Sequence, residues 1–338
     1  MTKVLVTGAS GFIGTHLVAA LAKRGEEITC FVRKTSKIDR LQALGVRLIY
    51  GDVTDPDSLP AAVTGQDVVY HLAGRTEALN GRQFFEVNCR GVAHVVKACA
   101  AQETPPIMIH VSSQAAAGPA IDGQARVESD PAAPVSLYGR TKRLGERFAE
   151  RFAHRLPITV VRPPIVLGEG DRLGLSLFRS VIRFHIHLTP GFRAQRFSLI
   201  HADDLAQLLI LAAERGRRLP PKGRRGDSAA QGYYFAACEQ DPTYADLGRL
   251  VAESAGRQTV VISTPMPVLR MAAIVTEAVS QVCRHPALMN LDKIREVAAG
   301  SWLCSARAAK EELGFAVGAP LIERLRQTTQ WYRREGWL

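Results

Sequence analysis

Gly8, Gly11 and Gly14 lie in the run Thr7-Gly8-Ala9-Ser10-Gly11-Phe12-Ile13-Gly14, between an apolar stretch at 3–7 and a helix-like stretch at Phe12–Lys23. At such a strand-to-helix turn, Gly8 permits the tight reversal and Gly11 lets the backbone approach a pyrophosphate. Gly14 lets helix and strand pack closely. The free N–H groups and positive dipole of the helix start would meet the phosphates, with Ser10, Phe12 and Ile13 in the same turn. Further along, Tyr138 and Lys142 stand four apart at the start of an amphipathic run, so on a helix they share a face. An unperturbed phenol titrates at about 10. A neighbouring ammonium and an oxidised nicotinamide would lower it. A phenol so tuned exchanges a proton with a substrate hydroxyl while hydride moves to or from the cofactor. Lys142 can also hold the nicotinamide ribose. Ser112 and Ser113 end the run Ile107–Val111, where a hydroxyl can donate to a carbonyl oxygen.

The second ribose is read just after the second strand. An acid there would accept from a free 2′-hydroxyl. The chain instead has Val32-Arg33-Lys34, with Lys37 close behind. Basic residues at that point pair with a 2′-phosphate, so Arg33 and Lys34 favour NADP, with NAD as the alternative.

These residues need a scaffold, and the periodicity supplies one. Strand-like runs at 4–6, 28–32, Arg47–Tyr50, 68–72, Ile107–Val111 and 158–161 alternate with helix-like runs at Phe12–Lys23, 38–44, 56–63, 84–101 and 138–155. That alternation predicts an α/β fold, a doubly wound parallel sheet covered on both faces. After 162 the pattern loosens, with a helix at 203–213, a strand at 233–236 and a helix at Tyr244–Ser254. Residues 1–165 are expected to bind NAD(P), with 198–240 returning to that unit. Residues 166–197 and 241–338 are expected to form a smaller, mixed substrate lobe. No internal repeat is evident.

Composition narrows the class. The chain has 338 residues, 46% hydrophobic and 22% charged, an ordinary globular mixture. No uninterrupted apolar run reaches the ~18–20 residues of a membrane-spanning helix. The N-terminus opens on a strand-like run without the pattern of a secretory leader, so a cytoplasmic protein is expected. Cys30, Cys89, Cys99, Cys238, Cys283 and Cys304 are scattered without Cys-x-x-Cys spacing and read as packed thiols. No metal site is expected. His185 and His187 would face one side of an extended segment, but no third ligand accompanies them. The formal net charge is +11. The basic run 215–225 permits contact with an anionic membrane, and its lack of interleaved aromatics argues against nucleic acid.

The joint order of glycine motif, strand-end serine and Tyr-x-x-x-Lys resembles the extended short-chain dehydrogenase/reductase superfamily over essentially the whole length. That superfamily includes nucleotide-sugar epimerases, dihydroflavonol reductases and 3β-hydroxysteroid dehydrogenases. The resemblance implies a Rossmann domain, a homodimer through 84–101 and 138–155, and specific roles. Asp52 and Val53, in Gly51-Asp52-Val53, would contact adenine. Leu72, Ala73 and Gly74 would line the cofactor after strand four, and Asn88 matches the family's helix-four asparagine. Pro163 and Val166 lie in the segment that meets the nicotinamide amide. Ser113 matches the catalytic serine better than Ser112, Tyr138 the general acid/base, and Lys142 its partner. His201 through Ala206 matches a late motif that reads as structural.

The departures select a reaction. Family dehydratases carry an Asp-Glu pair just after the serine, where this chain has Gln114-Ala115-Ala116-Ala117. Arg193 and Arg196 are the candidates for a diphosphate clamp, and Arg196 is one position out of register. Apolar segments at 264–269 and 271–282 resemble those enclosing flat substrates in the steroid and dihydroflavonol branches, and a core or dimer helix is the equal alternative. The leading expectation is an NAD(P)-dependent oxidoreductase interconverting a secondary alcohol and a ketone on a largely apolar, sterol-like substrate. A nucleotide-sugar 4-epimerase with tightly held NAD is the alternative. A non-catalytic dinucleotide sensor is the third reading, opposed by the intact Ser113, Tyr138 and Lys142.

Overall fold

The computed structural model describes residues 1–221, 230–287 and 289–338. Its strands are β1 (Lys3–Thr7), β2 (Glu27–Val32), β3 (Arg47–Tyr50), β4 (Val68–His71), β5 (Ile107–Val111), β6 (Ile158–Arg162), β7 (Ile165–Leu167), β8 (Ile186–Pro190), β9 (Leu199–His201), β10 (Tyr233–Phe235) and β11 (Val260–Thr264). Its helices are α1 (Phe12–Lys23), α2 (Asp39–Gln42), α3 (Pro60–Val63), α4 (Gly81–Phe85), α5 (Val92–Ala100), α6 (Gln114–Ala117), α7 (Leu137–Phe152), α8 (Leu175–Phe184), α9 (Ala202–Arg215), α10 (Tyr244–Ser254), α11 (Met266–Cys283), α12 (Leu291–Ala298), α13 (Arg307–Leu313) and α14 (Leu321–Arg334).

The β-branched runs of β1, β4, β5 and β6 are buried on both faces, as a sheet covered by helices requires. With β2, β3 and β10 they form a seven-stranded parallel sheet in the order β10-β6-β5-β4-β1-β2-β3. One layer is α1 and α9, whose Leu17, Val18 and Leu21 share a core with Leu205, Leu208 and Leu209. The other is α5 and α7, where Val92, Val95, Val96 and Ala149 close the opposite face. This is the doubly wound Rossmann arrangement. The chain reverses direction across the sheet between β1 and β4, so a crevice opens at the carboxyl ends of those strands.

A second core holds the C-terminal lobe together: Phe178 and Val181 of α8, Leu247 and Val251 of α10, and Leu325 and Tyr332 of α14. β8 pairs with β11, and β7 with β9, as separate two-stranded sheets. Ala309, Leu313 and Phe315, expected in this lobe, pack instead into the main core against the α9 layer.

Three local expectations need correction. The run 84–101 is not one regular helix. It is α4, a π-helical stretch Glu86–Gly91, then α5. Residues 56–63 form a short 3₁₀ turn followed by α3. His185 does not lie in a strand beside His187. It ends α8 in the left-handed conformation at φ 58°, bonded to the Gln258 carbonyl, while the buried His187 contacts the Tyr244 carbonyl. Of the basic run 215–225, residues 222–225 lie outside the described residues.

Candidate active site

Gly8 reaches φ +73°, and a Cβ there would sit 2.6 Å from the Ala73 nitrogen. A Cβ on Gly14 would sit 2.2 Å from the Gly8 carbonyl oxygen. Both glycines are therefore fixed by close backbone approach, of α1 to its own turn and of that turn to the segment after β4. The start of α1, at Gly11, has no side-chain cap and no acid in its first turn. An uncapped, positively polarised helix start at the switch point fits a pyrophosphate. Ser10, Phe12 and Ile13 are partly exposed around it.

Below this turn Thr7 ties β1 to β4. Its Oγ1 lies 2.7 Å from His71 Nδ1 and accepts from the Ala73 N–H at 3.3 Å. Burial, helped by the Lys142 charge, holds the His71 imidazole down at about 3, so it is neutral. His110 of β5 stacks on His71 at 5.5 Å and is held neutral by the same causes. In the sequence His71 opens the stretch that the resemblance places along the cofactor, and His110 reads as an ordinary strand residue.

The π-turn explains Asn88. Its amide is fully buried and clamps Arg75, accepting from the Arg75 N–H at 2.8 Å and donating to the Arg75 carbonyl at 2.9 Å. It also approaches Thr141 Oγ1 at 3.4 Å, tying the β4 loop to α7. A Cβ on Gly74 would lie 3.5 Å from Asn88 Oδ1 and 3.6 Å from Lys142 Nζ, so Gly74, Asn88 and Lys142 converge.

The residues expected to be catalytic come together near the carboxyl ends of β5 and β6. Ser113 begins α6, its hydroxyl accepting from the Ala115 N–H. Gln114 N–H donates to the Pro163 carbonyl at 2.8 Å, fixing this turn against the segment after β6. Ser136 caps α7 through the Gly139 N–H at 2.9 Å, and Tyr138 follows in the first turn. Burial pushes the Tyr138 phenol above its ordinary value, while hydrogen bonding with Ser113 and the charge of Lys293 pull it down. The expected net lowering is thus corrected: in the protein alone the desolvation of the phenol outweighs its partners. Lys142 is buried and donates to the Val111 carbonyl at 2.8 Å. Burial pulls its pKa down to about 8 against the pull of Glu146. Ser112, the rejected alternative, is buried.

Several supports were not visible in the sequence. Arg162 grips Glu146 with two bonds of 2.8 Å, locking α7 to β6. Phe84 lies 6.0 Å from the Tyr138 ring, and Lys293 Nζ approaches the same ring at 5.7 Å. Ala115, Ala116 and Ala117 are buried beside Ser113, so this wall presents no charge.

Arg33 and Lys34 are exposed after β2. Asp52 accepts from the Thr54 N–H and hydroxyl at 2.9 and 2.8 Å, and the Val53 carbonyl meets His94 Nδ1 at 3.0 Å. Val166 is partly buried in β7. Arg196 donates from its Nε to the Asp241 carbonyl at 3.0 Å. In the late motif His201 caps α9, and Asp204 pairs with Arg324. His16, Glu169 and Asp203 bring ligand-type atoms within 4.8 Å of one another. Both ring nitrogens of His16 are engaged there, on Asp203 at 2.5 Å and on the Glu169 carbonyl at 2.8 Å.

Residues 4–224 match the model of the NAD dependent epimerase/dehydratase family. Among curated proteins, a ceramide reductase of Caulobacter vibrioides is 30% identical over 99% of this chain and 96% of its own length. A 3 beta-hydroxysteroid dehydrogenase/Delta 5→4-isomerase of Mycobacterium tuberculosis is 28% identical over 79% of this chain and 73% of its own. Among solved structures, UDP-glucose 4-epimerase of Thermus thermophilus with NAD superposes with a TM-score of 0.75 at 20% identity, covering 98% of this chain and 99% of that one, a likeness of fold.

Proposed function

The chain belongs to the NAD dependent epimerase/dehydratase family, and from that premise we propose that it is an NADP-dependent reductase of a ketone carried by an extended, largely apolar lipid of the ceramide type. The observation that carries the reading is the meeting of the Ser113 hydroxyl with the Tyr138 phenol, one helical turn from buried Lys142. The residues around Gly8, Gly11 and Gly14 would hold the pyrophosphate, and Arg33 and Lys34 the 2′-phosphate. When bound, the reduced nicotinamide supplies a hydride. Ser113 donates to the substrate carbonyl oxygen and fixes its direction. Tyr138 delivers a proton to that oxygen as negative charge develops on it. Lys142, close behind, stabilises the phenolate left on Tyr138.

The substrate class is supported by the uncharged wall Ala115–Ala117, by Phe84 against Tyr138, and by the engagement of Arg196 on the Asp241 carbonyl. The relative aligned over nearly its full length is named for a ceramide, and the steroid relative for an apolar alcohol.

The test begins with protein purified without added cofactor, checked for bound nucleotide, and titrated with NADPH and NADH by fluorescence. NADPH oxidation is then followed with an oxo-ceramide, a ketosteroid and UDP- and GDP-sugars. Exchangeable, tighter NADPH and turnover of the oxo-ceramide are expected. Tightly retained NAD together with interconversion of a UDP-sugar would replace this reading with a 4-epimerase.

A further inference from the structure

We infer that α11 and the outer face of the β8–β11 sheet dock the protein onto an anionic lipid bilayer, with α11 lying in the plane of the interface beside the mouth of the active site. The polarity of α11 is reversed for a surface helix. Its outward row is Val268, Met271, Val275, Val279 and Val282, at helical spacing, with Met271 61%, Val275 56%, Val279 54% and Val282 83% exposed. It buries only Ala273 and Ser280, and polar side chains tie it to neighbouring segments. Thr276 donates to the Met289 carbonyl at 2.6 Å, Ser280 to the His285 carbonyl at 2.5 Å, and Gln281 to the Leu79 carbonyl at 2.8 Å, while Glu277 accepts from the Leu291 N–H. The helix is long and apolar enough to cross a bilayer by length and composition. These four ties, together with Arg270 and Glu277 inside the run, seat it on the protein and make it an interfacial helix.

The apolar surface continues through the segment that enters α11. Ile186 and Leu188 of β8 pair with Val260 and Ile262 of β11, and all four are exposed. Phe192, just beyond β8, is 79% exposed. Exposed apolar surface of this extent marks an interaction site. Charge selects the occupant. Residues 172–202 contain five arginines and no acid, and residues 254–284 contain three arginines and only Glu277, which accepts the Leu291 N–H. That excess complements anionic headgroups and repels a second copy of itself.

Docking here also serves the chemistry. α12 follows α11 directly, and its Asp292 and Lys293 touch the start of α7 at Tyr138. A lipid ketone would pass from bilayer to phenol without crossing water. The docking itself does not depend on the substrate reading.

The full chain is floated with phosphatidylcholine vesicles, with and without phosphatidylglycerol. Wild type is expected to bind the phosphatidylglycerol vesicles and to weaken with added salt. Val275→Asp/Val279→Asp is expected to lose about tenfold in partitioning, with the same NADPH affinity and melting temperature. Arg270→Glu/Arg284→Glu is expected to lose the preference for phosphatidylglycerol. Failure of wild type to float would overturn the proposal. So would unchanged flotation of both variants, or light scattering showing a dimer that the valine variant dissolves while vesicle binding is absent.

Discussion

Asp292 accepts the main-chain N–H of Tyr138 at 3.2 Å and that of Leu137 at 2.8 Å, so a residue far along the chain caps the helix that carries the proposed acid/base. Helix starts leave such donors without partners, and here Asp292 supplies the acceptor. The position of Tyr138 is therefore coupled to how α11 and α12 are seated.

Asp292→Ala should remove that coupling. Loss of a capping carboxylate costs about 1 kcal/mol, measurable by urea unfolding. In steady-state kinetics kcat should fall more than the affinity for NADPH, because the cofactor is held by other elements. Asp292→Asn, which retains one acceptor, should recover part of kcat. Equal losses of NADPH affinity and kcat in Asp292→Ala would show that the carboxylate acts through the whole fold.

Tyr138→Phe keeps the ring against Phe84 and removes the proton. Reduction should slow about 10²–10⁴-fold, the usual contribution of a positioned general acid. NADPH binding should be unchanged within error. A variant with near wild-type turnover would remove Tyr138 from the mechanism and revive the dinucleotide-sensor reading.

Lys142 carries a pH signature. Its folded pKa is about 8 because burial disfavours the ammonium, against about 10.4 in an unfolded chain. Between those values the unfolded state binds more protons than the folded one, so stability rises with pH through that window. Below pH 8 the penalty is present in full, about 3 kcal/mol from the shift. The stability of wild type relative to Lys142→Met should accordingly improve between pH 8 and 10. A flat difference would mean that the folded protein holds the Lys142 ammonium as well as water does.

What was legible in the sequence follows from how local each feature is. β1, the glycine turn and α1 were legible because strand alternation, turn glycines and helix period lie within a few residues of one another. Ser113, Tyr138 and Lys142 were legible as types at fixed spacing. The π-turn at Asn88 was not, since Glu86–Gly91 reads as ordinary helix, and the clamp that stabilises it lies on Arg75. The cap on Tyr138 comes from Asp292, far along the chain. The phenol's raised pKa reflects burial, which composition does not reveal. The apolar row of α11 looked like core or substrate wall, because period alone gives a stripe and not what it faces.

Arg33 and Lys34 should decide between the two cofactors. Both are exposed after β2 with no acid beside them in sequence. Charge-assisted bonds contribute about 1.5–3 kcal/mol each. Arg33→Ala/Lys34→Ala should therefore weaken NADPH at least about tenfold and leave NADH nearly unchanged. Equal weakening of both would place the two side chains on the adenine or the pyrophosphate.

The last expectation concerns the lock between α7 and β6. Glu146 and Arg162 are buried at 0% and 4% exposure and joined by two bonds. Arg162 holds the Glu146 carboxyl below its ordinary value, although burial alone would raise it. Glu146→Ala leaves a buried guanidinium without its carboxylate and should cost about 3–5 kcal/mol. Glu146→Ala/Arg162→Met removes both charges and should be less damaging than Glu146→Ala alone. Pro163, next to Arg162, accepts the N–H of Gln114 beside Ser113. The single variant should therefore also misplace Ser113 and lower kcat at temperatures where it is still folded, with partial recovery in the double variant. Urea midpoints and single-turnover rates on the same preparations test both parts. A double variant as unstable as the sum of its single changes would mean that the pair contributes packing and not charge compensation.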